Sequence, residues 1–72
     1  MQQTGIVKWF SRPKGFGFVV SEAGEDVFVP HDALRAAGIT ELKVGERLFF
    51  EAGIGEKGLT VTRIVDRLMP SG

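Results

Sequence analysis

The chain has no cysteine and only one histidine, His31. Disulfide staples and thiolate chemistry are therefore excluded, and no zinc site can be assembled from nitrogen and sulfur ligands. Neither charge is in surplus: nine Lys and Arg stand against nine Asp and Glu, which argues against binding through bulk positive charge. No apolar run approaches the length that crosses a bilayer, and the N-terminus lacks the basic stretch, apolar core and cleavage site of a secretory signal. A cytoplasmic protein without membrane partners is expected. No nucleophile, base and orienting group stand together, and no carboxylate pair marks a cleft, so an enzyme is not expected. At 72 residues the chain reads as one domain over 1–72, too small for a large cofactor pocket. Neither a metal nor a cofactor is expected.

What is present is a series of short strand-like runs punctuated by glycine. The pattern predicts strands at 4–11, 15–21, 26–30, 46–52 and 58–67. Ser11-Arg12-Pro13 and Glu22-Ala23-Gly24-Glu25 read as compact turns. The longer stretch from His31 to Gly45 has room for a turn or two of helix through 33–37, capped by Asp32 and ended by Gly38. Five strands with a long connection after the third predict a small all-β antiparallel barrel, which leaves no open sheet edge. Ile6, Val19, Val27, Val29, Leu34, Leu42, Val44, Leu48, Phe50, Val61 and Ile64 are the expected core.

Strand parity then singles out a set of rings. In Lys14-Gly15-Phe16-Gly17-Phe18-Val19 a period of two places Phe16 and Phe18 on one face and Gly17 and Val19 on the other. In Asp26-Val27-Phe28-Val29-Pro30, Phe28 has the opposite parity to its two valines. Burying the three Phe rings would turn Val19, Val27 and Val29 outward, so the two sets compete for the inside. With the valines inside, Phe16, Phe18 and Phe28 form an outer shelf with Lys14 at its edge, suited to a nucleobase with a face to stack and a phosphate to neutralise. Lys8-Trp9-Phe10 breaks strict alternation, which predicts a bend or bulge that lets Trp9 reach the shelf with Phe10 at its edge.

Thr4-Gly5-Ile6-Val7-Lys8-Trp9-Phe10, Lys14 to Val19 and Asp26-Val27-Phe28-Val29 resemble, in order, the opening strand and the two ribonucleoprotein motifs of the cold-shock domain family. The similarity continues through Leu42-Lys43-Val44-Gly45-Glu46 into strand 5. The resemblance implies a five-stranded oligonucleotide-binding (OB) barrel that stacks single-stranded RNA or DNA bases on Trp9, Phe16, Phe18 and Phe28. Lys8, Lys14 and Lys57 would then lie near the backbone, and Arg12 beside the same segment. It also implies RNA chaperone activity, with effects on transcription termination or translation. Two departures stand out. Pro30-His31 replaces the family's usual His and aromatic, leaving Pro30 to stack and His31 either to stack or hydrogen-bond in their stead or to stand in solvent. Ile39 stands where the family often has another ring, which predicts a weaker grip at that end.

Gly53-Ile54-Gly55-Glu56-Lys57-Gly58 spells a dinucleotide-binding string, but it precedes a β-branched alternating run instead of a helix. It reads as a flexible hairpin loop with Lys57 at its tip. An RNA recognition motif requires two helices and the reverse motif order. The rival function is a barrel whose aromatic patch takes a peptide or a second copy, with Phe49 as a separate exposed ring; a monomer is the default and a weak dimer the alternative.

Overall fold

The computed structural model describes residues 2–56 and 58–68. Alternating apolar residues draw the chain into β1 (Gln2–Ser11), β2 (Phe16–Ser21), β3 (Asp26–Val29), β4 (Arg47–Gly55) and β5 (Gly58–Leu68), with α1 (His31–Ala36) between β3 and β4. The sheet closes in the order β1-β2-β3-β5-β4, with β4 returning to β1. The β1–β2, β2–β3, β1–β4 and β4–β5 pairs are antiparallel. Closure between β3 and β5 is parallel, Phe28 opposite Thr60, so the expected barrel is present with a mixed ladder in place of a purely antiparallel one. The reason is connectivity: a long crossover separates β3 from β5, and a hairpin does not.

Val7, Val19, Val27, Val29, Leu48, Phe50 and Val61 are fully buried, with Leu34, Leu42, Ile39, Ala33 and Ile64 beside them. Each large aliphatic side chain placed there contributes roughly 1.5–3 kcal/mol relative to exposure. Two expected core residues lie elsewhere. Ile6 is 37% exposed and Val44 68% exposed, and Val7 takes the inward place assigned to Ile6. Adjacent apolar residues left parity open in β1. Gly5 decides it, because a Cβ there would meet Phe50 Cε1 at 3.2 Å and Val19 Cγ2 at 3.3 Å. Gly5 and Val7 thus face inward and Ile6 outward. Val44 sits in a turn whose buried neighbours are Leu42 and Glu46.

The helix also differs from its expected form. It starts at His31, with Pro30 in extended conformation at the N-cap and Asp32 in the first turn, making no side-chain cap. Pro30 lies just beyond the last residue of β3. Proline suits this junction because its missing N–H is not needed at a helix start. At the other end Gly38, with φ +72°, donates to the Arg35 carbonyl at 3.1 Å while Ile39 donates to Leu34 at 2.9 Å. That is a Schellman closure, and it buries Ile39 against the core.

The glycine string at 53–58 is mostly strand. β4 runs through Gly53 to Gly55, which pairs with Gly58. Lys57 lies outside the described residues. Phe49 has the outward parity expected of it, opposite Thr4 and Asp66, but is half-buried rather than a free ring.

Glu46 is the one acidic residue fully buried among the described residues. Its Oε1 accepts from the Lys43 backbone N–H at 3.0 Å, and Arg67 Nε on β5 stands 2.7 Å from its Oε2. That second contact lacks hydrogen-bond alignment and is an ion pair. The backbone around it bonds to β1, Val7 donating to Glu46 at 2.8 Å and Gly45 to Val7 at 2.9 Å.

Candidate nucleic-acid interface

The site is built on the outer face of β1, β2 and β3. Val7 pairs with Val19, but Trp9 pairs with Phe18, so Lys8 is an extra residue on β1. This bulge reverses the parity of the residues beyond it. Trp9, which strict alternation would turn inward with Val7, instead shares the outer face with Phe18 and is 44% exposed. Gly17 makes the bulge possible. A Cβ at this inward position would lie 2.5 Å from the Trp9 carbonyl oxygen and 3.2 Å from Phe10 Cα.

Four rings form a closed circuit. Trp9 meets Phe16 at 5.5 Å and Phe18 at 6.3 Å between centroids, and Phe28 meets Phe16 at 5.5 Å and Phe18 at 5.4 Å. The rings tilt by 42° to 55° to one another. The expected shelf is therefore faceted, and each ring offers its own stacking face. Phe16, Phe18 and Phe28 are half-buried by their neighbours, while the valines behind them are fully buried. Phe28 lies directly across from Phe18, as hairpin pairing of β2 with β3 requires.

Phe10 departs from its expected place at the patch edge. It pairs with Gly17 on the inner face and packs against the core, because the same bulge that turns Trp9 out turns Phe10 in. Lys8 stands beside the rings, its Nζ 3.3 Å from Asp26 Oδ1. Together Lys8, Trp9, Phe18 and Asp26 line an open cleft of about 350 Å³. Asp26 was missed as a site residue, although it shares the outward parity of Phe28. A cation and a carboxylate beside two rings supply both a donor and an acceptor to the edge of anything stacked there.

Arg12 and Lys14 lie on the exposed turn between β1 and β2, where Arg12 makes a 3.8 Å ion pair with Glu41. Pro30 is half-buried after β3. His31 is exposed at the start of α1, and its ring fills the space where a Gly15 side chain would project, with Nδ1 2.7 Å from that Cβ position. Trp9, Phe16, Phe18, Phe28 and Lys8 are thus brought together, with Lys14, Arg12, Pro30 and His31 around the Phe16 end. Among the described residues no group of His, Asp or Glu could hold a metal, and no helix is long and apolar enough to cross a membrane.

Comparison with known proteins agrees with this architecture. Residues 3–66 match the family model described as the 'Cold-shock' DNA-binding domain. The chain is 41% identical over 63 residues to cold shock protein CapB of Pseudomonas syringae pv. tomato, covering 88% of this chain and 91% of that protein. It is 48% identical over 56 residues to cold shock-like protein CspD of Bacillus cereus, covering 78% and 85%. Against cold shock protein CspD of Bacillus subtilis the figures are 41% over 63 residues, 88% and 96%. The match indicates no catalytic family. Five strands closed into a barrel, an outward circuit of rings on the two motif strands, and a family match over almost all of the described residues lead to one assignment: the chain belongs to the cold-shock domain family of nucleic-acid-binding proteins.

Proposed function

We propose that this protein acts in the cytoplasm as a single domain that binds single-stranded RNA or DNA, stacking about four bases, one per ring, on Trp9, Phe16, Phe18 and Phe28. The observation that carries the reading is the closed circuit of four outward rings over fully buried valines. An apolar patch of this kind marks a binding surface, and tilted rings separated by 5.4 to 6.3 Å suit successive bases better than one flat ligand. Lys8 and Asp26 hydrogen-bond the edge of the base between Trp9 and Phe18. Duplex binds poorly, because its bases are already stacked on one another. By capturing unpaired bases the protein shifts RNA hairpins toward the open form by mass action, which makes it an RNA chaperone able to influence transcription termination or translation.

Titrating a single-stranded pyrimidine hexamer while following Trp9 fluorescence tests this. Quenching is expected with the hexamer, with little change on adding duplex. Phe16→Ala combined with Phe28→Ala removes two stacks of roughly 1–3 kcal/mol each, so affinity should fall about thirtyfold or more while the barrel stays folded by circular dichroism. Unfolding of the double variant would place both rings in the core, and quenching by a peptide but not by the hexamer would favour the protein-interaction reading.

A further inference from the structure

At the Phe16 end the surface changes chemistry. A second groove, of about 390 Å³, runs between the β1–β2 turn and α1, lined by Arg12, Gly15, His31, Arg35, Ile39 and Thr40 among others. It starts where the ring circuit stops. Gly15 immediately precedes Phe16, and the His31 imidazole sits against Gly15, forming the wall between platform and groove. The floor is aliphatic, since Leu34 and Ile39 belong to the core, and apart from the imidazole the groove has no ring on which a base could stack.

The groove has two guanidiniums instead, Arg12 from the turn and Arg35 from the helix, with exposed Lys14 on the same turn as Arg12. The acids nearby are weak competitors. Glu41 lies 3.8 Å from Arg12, with side chains 46% and 77% exposed respectively, a surface pair of the kind that contributes about 0–1 kcal/mol. Asp32 is exposed in the first turn of α1. Among the described residues Arg35 and Lys14 make no ion pair. A phosphate accepts from guanidinium in a forked, charge-assisted geometry that a carboxylate at 3.8 Å does not provide.

We infer that this groove is a phosphate subsite. A phosphodiester of the bound strand, beyond the base on Phe16, is held between Arg12 and Arg35. This end of the surface grips through charge where the platform grips through stacking, and the inference rests on the platform reading above.

The test compares a deoxythymidine tetramer, matched to the four rings, with a hexamer and with a hexamer whose first and last linkages are neutral methylphosphonates. Trp9 quenching reads all three. One phosphate at a slope of about −0.7 is worth about fivefold in roughly 0.1 M salt, so the hexamer should bind about fivefold tighter than the tetramer. Neutral linkages should abolish that gain. Arg12→Gln with Arg35→Gln should abolish it too and reduce the hexamer's salt slope by about 0.7, with a smaller loss of affinity for the tetramer. A gain that survives either change, or the lack of any gain, overturns the subsite and leaves the platform standing. A tetramer that fails to quench Trp9 overturns the platform reading and the subsite with it.

Discussion

Gly17 carries more of the site's geometry than any ring does. It sits on the inward face of β2 directly opposite the chain segment that must cross it, and the nearest atoms to a Cβ there are backbone, the Trp9 oxygen and Phe10 Cα. Backbone cannot rotate aside as a side chain can. Gly17→Ala should therefore push β1 from β2 at the bulge and cost about 1–3 kcal/mol, as overpacking commonly does. Urea denaturation measures the loss, and a shift of Trp9 emission shows that the ring has moved. An unchanged midpoint and spectrum would mean that β1 has slack at this point, and that glycine is not what allows the bulge.

Among the elements, β1 does most to set the function, since it serves two faces in turn. Up to Ile6 it pairs with β4, and at Val7 it bonds to the turn at Gly45 and Glu46. The bulge comes immediately after. The buried Glu46 carboxylate holds that turn through Lys43 and Arg67, so its removal acts on the residue just before the bulge. Breaking a buried ion pair by deleting one partner costs about 3–5 kcal/mol. Arg67 keeps about a third of its side chain in water and can rehydrate, which puts Glu46→Ala at the low end, about 3 kcal/mol. Glu46→Gln keeps the acceptor for Lys43 and should lose less. Thermal or urea unfolding of the two variants checks the order, and equal losses would show that the charge, not the hydrogen bond, holds the turn.

Taken as a whole the molecule is neutral, with nine charges of each sign, and two of the site cations, Lys8 and Arg12, stand beside acids. On the proposed reading, affinity then comes mainly from stacking. With three or four cations engaged at roughly −0.7 per phosphate, the log–log slope of affinity against salt should be about −2 to −3. Titrations between about 50 and 500 mM salt, a working range for counterion release, measure it. A slope near about −6 would show that electrostatic attraction outweighs the rings. Neutrality also limits how far the proposed phosphate groove can spread, because Glu41 pairs with Arg12 beside it.

The outward Phe16, Phe18 and Phe28 and the inward Val19, Val27 and Val29 were legible in the sequence, because a period of two in an uninterrupted strand allows only two arrangements and small valines fill a narrow barrel better than rings. A bend or bulge near Trp9 was legible as well, from apolar neighbours at 9 and 10, but not its place at Lys8. What lay across the sheet was not. Ile6 and Val7 are equivalent until Gly5 is set against Phe50 and Val19, and Phe10 turns inward only because it pairs with Gly17. Nor could local pattern show that Arg67 reaches a buried Glu46, or that Arg35 shares a groove with Arg12. Side-chain parity is a property of the local backbone and is written in neighbouring residues, whereas ion pairs and grooves join segments remote in the chain and exist only once the barrel has closed.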